Sequence, residues 1–266
     1  MSRRLSVLAC LVTTTLMTAL TAAPAQAAAT YENTDYVALG DSYSAGAGAP
    51  DQSGLCLRSV FAYPAQWVNK NHPHSYTNIA CYGATIDSMR LTQMIALSDK
   101  TDLVTVTIGG NDAGFGPVVI SCTLVSDSGC ESIVDVAHDY VTDVLPGKLD
   151  AAYRDIRAHA PNADVVVLGY PVLFDTTSEN CGFAGMDIAK RKMINVGDND
   201  LNDIIRDRAR AAGFTYAEVR DNFGGRGICA NGAWINGLTV LPPTDSFHPT
   251  QTGYTDGYLP ALVDAL

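Results

Sequence analysis

A three-layer α/β/α sandwich on a parallel sheet is the fold class this chain predicts, and three observations carry it. Five short apolar runs rich in β-branched residues are separated by longer amphipathic stretches. The runs lack the strict alternation of a half-exposed strand, which suits a parallel sheet covered on both faces. No internal repeat or low-complexity linker interrupts the chain after its first residues, so a single domain is expected from about Tyr31 to Leu266. Strands alternating with helices imply right-handed crossovers. Hydrophobic residues make up 47% of the chain, enough to bury such a core.

In chain order, the expected strands are 36–39, 77–80, 103–108, 164–169 and 215–219. The third reads Leu-Val-Thr-Val-Thr-Ile and the fourth contains Val-Val-Val-Leu. Short helices are expected over 62–69 and 87–97. A long helical stretch, 132–159, should kink or break at Pro146, which removes a backbone donor. Beyond the break, Leu149, Ala152, Tyr153 and Ile156 share one face. Another amphipathic helix is expected over 187–212, and a final one after Pro249 with Thr250 as its N-cap. Five strands fit a doubly wound, flavodoxin-like order, 2-1-3-4-5. In such sheets a site forms beyond the carboxyl ends of the strands, where the strand order switches.

The first 27 residues are expected to be a cleaved signal peptide, leaving a domain over 28–266. Arg3 and Arg4 precede an apolar, threonine-rich stretch without acidic residues, and Ala25-Gln26-Ala27 fits a signal peptidase site. The apolar part is too short to favour a membrane span of about 20 residues. Export predicts a secreted, extracellular protein. Removing the leader takes two of the 17 Lys and Arg and none of the 28 Asp and Glu, leaving a net charge of −13. Such a surface repels nucleic acid and anionic membranes, so a lipid substrate would be neutral or zwitterionic.

Six cysteines follow the leader: Cys56, Cys81, Cys122, Cys130, Cys181 and Cys229. An even count in an oxidising compartment points to disulfides, and six cysteines allow fifteen pairings, of which the sequential one is simplest. No Cys-x-x-Cys pair marks a zinc site.

The switch-point rule selects three loops: Gly40-Asp41-Ser42-Tyr43-Ser44, Ala80-Cys81-Tyr82-Gly83-Ala84-Thr85 and Gly109-Gly110-Asn111-Asp112. A serine at a strand end needs a base to act as nucleophile. Of the five histidines, His72 and His74 lie in a polar turn, and His138 and His159 lie on expected helices. His248, in Asp245-Ser246-Phe247-His248-Pro249-Thr250, is the candidate base, with Asp245 placed to orient its ring. The N–H groups of Ser42 and Gly83 and the amide of Asn111 are the candidate oxyanion donors, each worth about 3–4 kcal/mol when preorganised. Taken singly, each feature has a plainer reading: a turn serine, a turn asparagine, a helix-leading Asp-x-x-His-Pro. Their conjunction at the ends of neighbouring strands, in this chain order, points to acyl transfer.

These blocks resemble the SGNH hydrolase superfamily, the GDSL esterases and lipases. Gly40-Asp41-Ser42, Gly83, Gly110-Asn111-Asp112 and Asp245-Ser246-Phe247-His248 match its four motifs, with Tyr43 where leucine is usual. Ala62-Tyr63-Pro64, Val167-Leu168-Gly169-Tyr170-Pro171 and the six cysteines are similar to secreted Streptomyces-type lipases and esterases. The resemblance implies sequential disulfides, no metal or other cofactor, and broad ester specificity. It also implies that a backbone carbonyl can replace the carboxylate in orienting the histidine.

The expected activity is therefore carboxylic ester hydrolysis, as lipase or esterase, through an acyl-enzyme on Ser42. Phospholipase A action on zwitterionic phospholipids and carbohydrate acetyl ester hydrolysis are the alternatives. Phe115, Pro117, Val118, Val119 and Ile120 either line an acyl cleft or pack as helix core. A monomer making transient contact with a lipid interface is expected, with no nucleic-acid partner. Two other classes are weighed. A non-catalytic binding protein on this fold would be expected to lack Ser42, Asn111 or His248. A metal phosphoesterase using Asp41, Asp112 and His248 would want more ligands at the strand ends.

Overall fold

The computed structural model describes residues 30–179, 181 and 186–266; the expected signal peptide lies outside them. Strand β1 (Asp35–Gly40) leads into the short helix α1 (Ser42–Ala45). A small hairpin, β2 (Gln52–Ser53) and β3 (Arg58–Ser59), precedes α2 (Tyr63–Asn71) and β4 (Ser75–Asn78). Next come α3 (Ile86–Thr92), β5 (Leu103–Thr107), α4 (Phe115–Leu124), α5 (Asp127–Asp143), α6 (Leu145–His159) and β6 (Asp164–Leu168). The chain ends with α7 (Ile188–Ala211), β7 (Thr215–Ala217), a π-helical turn (Gly253–Tyr258) and α8 (Leu259–Ala265).

The main sheet runs β4-β1-β5-β6-β7, with every neighbouring pair parallel. In order of sequence among these five strands that is 2-1-3-4-5, as expected. Central β5 is buried throughout and β1 from its second residue onward, which is why neither shows a two-residue alternation. Helices α3, α5, α6 and α7 pack with one another on one side, while α2 and α8 pack together on the other.

The second sheet strand begins two residues earlier than its apolar signal implies. It is a polar edge strand, Ser-Tyr-Thr-Asn, whose side chains alternate between exposed and half-buried. The apolar residues after it continue the pairing in irregular backbone: Ile79 N donates to Ala38 O at 3.0 Å and Cys81 N to Gly40 O at 3.1 Å. That continuation carries the Gly83 loop along the edge of β1.

The long helical stretch divides at Val144. Pro146 occupies the first turn of α6, where a missing N–H costs no hydrogen bond. Helix α5 also starts earlier than expected, at a Ser126 cap whose side chain accepts from Gly129 N. Thr250 opens the last helical stretch as expected, accepting from Gly253 N at 3.2 Å; that stretch runs through the π-helical turn before α8. Helix α4 was not expected as such, and its two faces reconcile the two readings of its apolar run. Val119 is core, whereas Phe115, Pro117 and Ile120 line a cleft.

The disulfides are sequential: Cys56–Cys81, Cys122–Cys130 and Cys181–Cys229. On a loop-entropy account each contributes about 2.5–4 kcal/mol. The first fastens the β2–β3 hairpin to the Gly83 loop, and the second joins α4 to α5. No helix among the described residues is long and apolar enough to cross a membrane.

Candidate active site

Ser42 follows Gly40 and Asp41 at the carboxyl end of β1, and the turn it occupies is held from several sides. Gly40 has φ +123°, and a Cβ there would sit 2.3 Å from Thr107 O, so this position requires glycine. The buried Gln93 side chain clamps the same residue, accepting from Gly40 N and donating to Gly40 O, both at 2.8 Å. Asp41 caps α1 through Tyr43 N at 2.9 Å. Its other oxygen accepts from Tyr170 OH at 2.5 Å, while Tyr170 OH accepts from Gly110 N at 3.0 Å. This chain ties the ends of β1, β5 and β6 together. Burial pushes the Asp41 carboxyl up to about 7, against the opposing effect of the Tyr170 and Tyr43 hydrogen bonds.

The histidine arrives from the other end of the sequence. His248 Nε2 lies 2.7 Å from Ser42 Oγ across 206 residues, and both side chains are buried. Tyr43, next to the nucleophile candidate, donates its hydroxyl to Phe247 O at 2.6 Å, so the serine turn grips the residue before His248. Asn236 brackets the same stretch: Asn236 N donates to His248 O at 2.9 Å, and Phe247 N donates to Asn236 O at 3.0 Å. Phe247 is held at φ +66°, an uncommon value for a bulky side chain and a local strain that these bonds sustain.

The expected Asp245–His248 hydrogen bond is absent. The Asp245 carboxylate instead accepts from Gln52 Nε2 at 2.7 Å, because the β2–β3 hairpin presents an amide to it. His248 Nδ1 is buried and has no hydrogen-bond partner of good geometry among the described residues. Burial dominates the ring and lowers its pKa from 6.5 to about 4. The Ser246 carbonyl, the Asp245 charge and the Thr244 carbonyl act in the opposite direction. The imidazole is therefore neutral at neutral pH, as a base must be.

The three oxyanion candidates gather at this point. Ser42, Gly83, Asn111 and His248 all line one cleft of about 520 Å³. Gly83 and Asn111 are exposed to the opening, whereas Ser42 lies beneath. Asn111 Nδ2 donates to Ala84 O at 2.9 Å, which fixes the amide and leaves its second hydrogen for the cleft. Asp112 accepts from Ile86 N at 2.8 Å and thereby docks the Asn111 loop on α3. The remaining four histidines sit elsewhere: His72 ends α2, His74 pairs with Asp35, His138 with Asp200, and His159 with Asp155 O. Among the described residues, no three His, Cys, Asp or Glu side chains gather to hold a metal ion.

The family model for GDSL-like lipases and acylhydrolases matches residues 38–255, a span that contains Ser42, Gly83, Asn111, Asp245 and His248. The chain belongs to that family. It is a carboxylic ester hydrolase. It is 43% identical to Lipase 1 of Streptomyces coelicolor over 91% of this chain and 90% of that protein. A lipase of Streptomyces rimosus is 38% identical over the whole chain and 99% of its own length. Among solved structures, a phospholipase A1 from Streptomyces albidoflavus superposes with a TM-score of 0.85 at 40% identity, covering 88% of this chain and all of that one.

Several supporting residues of this family member gave no signal in sequence. Gln93, Asn236 and Asp198 belong to no motif, and each acts on backbone atoms distant in the chain. Tyr43 and Tyr170 stood inside quoted motifs, but their hydroxyl contacts span 204 and 129 residues.

Proposed function

We propose that this protein is a secreted lipase or esterase that cleaves fatty acyl esters through an acyl-enzyme on Ser42. The observation that carries the reading is the 2.7 Å contact between Ser42 Oγ and a neutral, buried His248 beside three converging oxyanion donors. His248 takes the Ser42 proton as Ser42 attacks the ester carbonyl. The oxyanion sits among Ser42 N–H, Gly83 N–H and Asn111 Nδ2. His248 then protonates the leaving alcohol, and water activated by the same ring releases the acid. In this proposal the imidazolium is held by backbone carbonyls of the 244–246 turn, with Asp245 contributing its charge from a distance.

The rim of the cleft supports a lipid substrate met at an interface. Leu238 is 55%, Val240 82% and Leu241 86% exposed, in the loop that leads to His248. Ile120 and Leu124, one turn apart on α4, extend the apolar border. Segments 113–126 and 232–244 contain no charged residue, which fits a neutral or zwitterionic lipid surface. The first 27 residues fit a signal peptide that directs export.

Labelling with a fluorophosphonate, followed by peptide mass spectrometry, tests the nucleophile. The adduct is expected on Ser42, and an adduct on another serine overturns the proposal. An ester series that includes triacylglycerol and phosphatidylcholine then ranks the substrates.

A further inference from the structure

The stretch Val167-Leu168-Gly169-Tyr170-Pro171, at the end of β6, takes no part in the reaction steps above, yet its tyrosine reaches the centre of the site. Tyr170 is buried and lines the cleft together with Ser42 and Asn111. Its main chain is clamped by Asn202 of α7: Tyr170 N donates to Asn202 Oδ1 at 2.7 Å, and Asn202 Nδ2 donates to Tyr170 O at 3.1 Å. Gly169 permits this clamp, since a Cβ there would sit 2.4 Å from Asn202 Oδ1. The Tyr170 ring packs edge-on against Tyr43, with centroids 5.0 Å apart. Backbone and ring are thus both held independently of the hydroxyl.

The hydroxyl is a donor and an acceptor at once. It donates to Asp41 Oδ2 at 2.5 Å and accepts from Gly110 N at 3.0 Å. Asp41 directly precedes Ser42, and Gly110 directly precedes Asn111. One phenol oxygen therefore spans two loops, each a single residue from a group that acts on the ester. Backbone pairing between β1 and β5 reaches only as far as Asp41 N, which donates to Thr107 O at 2.9 Å. Beyond that point the Tyr170 hydroxyl joins the two loops. Donation to the carboxyl also makes the oxygen a better acceptor for Gly110 N, because chained hydrogen bonds polarise one another.

We infer that Tyr170 is a positioning residue for ester hydrolysis: its hydroxyl sets the distance between Ser42 and the Asn111 amide and so holds the oxyanion site in its working geometry. It acts through Asp41 and Gly110 rather than on the ester. Preorganised donors stabilise the transition state because they need not move, and a displacement of about 1 Å costs up to about 10²-fold in rate. The inference rests on the reading of Ser42 as nucleophile and Asn111 as oxyanion donor.

A double-mutant cycle between Tyr170→Phe and Asn111→Ala tests it, with kcat and KM measured on a soluble p-nitrophenyl ester. Tyr170→Phe keeps the ring and removes only the hydroxyl. It is expected to lower kcat by about tenfold, with KM within about twofold of wild type. In the Asn111→Ala background the same change should cost less than about twofold, because the donor it positions is gone. A hydroxyl that serves only the fold lowers kcat by the same factor in both backgrounds. That result, or an unchanged kcat in Tyr170→Phe, overturns the inference. If Tyr170→Phe does not fold, Asp41→Asn carries the same cycle, since asparagine still caps α1 while the Tyr170 contact is weakened from its other end. It should lower kcat by about threefold or more alone and by less than about twofold beside Asn111→Ala, and equal losses again overturn the inference. Asn111→Ala by itself separates the two readings. A loss of about 10²- to 10³-fold there, with Tyr170→Phe additive to it, removes only the positioning role, whereas no loss removes the oxyanion reading and the inference with it.

Discussion

The serine side and the histidine side of this site are held by different means. Around Ser42, side chains do the holding: Gln93 clamps Gly40, Asp41 caps α1, and Tyr170 joins Asp41 to Gly110. Around His248, backbone pairs are added to side chains: Asn236 pairs with the backbone of Phe247 and His248, while the Tyr43 hydroxyl donates to Phe247 O and Asn236 Nδ2 to His248 O. The carboxylate nearest in sequence, Asp245, has turned to Gln52. The serine turn is thus held by a buried polar network of side chains, whereas the histidine is also placed by backbone pairing along its loop. A carboxylate three residues before a histidine does not by itself make a triad.

The comparison breaks most directly at its centre. Ser42→Ala and His248→Ala are each expected to lower kcat on a soluble ester by about 10⁴-fold or more, since members of such a unit fail together. Residual activity near wild type in either would remove the pair from the mechanism. Next in size is Asn111→Ala, which deletes one preorganised donor. A fall of about 10²- to 10³-fold in kcat, with KM little changed, is expected. A loss confined to KM would make Asn111 a ground-state contact.

Acid titration examines the histidine side. His248 must be neutral to accept the Ser42 proton, and burial lowers its pKa to about 4. The acid limb of kcat/KM should therefore appear as pH falls towards about 4. A midpoint near the ordinary 6.5 would mean that the ring is better solvated, or better paired, than the structure has it.

Asp198 gives a smaller, stability-based contrast. Its folded pKa of about 8 lies above the ordinary 3.8. The unfolded chain loses this proton first, so the residue's contribution to stability falls as pH rises from about 4 to about 8. Asp198→Asn keeps an acceptor for Leu173 N and removes the titration. Its Tm relative to wild type should rise between pH 5 and pH 8; a constant difference would show that Asp198 is already ionised when folded.

Sheet order and the meeting of Ser42, Gly83, Asn111 and His248 were legible in sequence, whereas the disulfide pairing came with the family resemblance. Strand periodicity, motif spacing and the switch-point rule act through features that the chain displays locally. The position of β4 was less legible, because an edge strand carries polar residues while the apolar signal marked the turn after it. Helix α4 hid because Gly114, Gly116 and Pro117 interrupt its start. The Asp245 contact was illegible because its partner, Gln52, comes from a hairpin 193 residues away. Gln93 and Tyr170 hid for the same reason: long-range hydrogen bonds to backbone or to buried acids leave no periodic trace.

The smallest expected effect tests the contrast between the two sides best. It is kcat/KM for Asp245→Asn, measured beside His248→Ala on the same soluble ester. If backbone carbonyls hold the imidazolium, Asp245→Asn loses less than about tenfold, or about 1.4 kcal/mol of transition-state stabilisation. A loss approaching that of His248→Ala would show that the carboxylate swings from Gln52 to the ring during turnover and completes a triad after all.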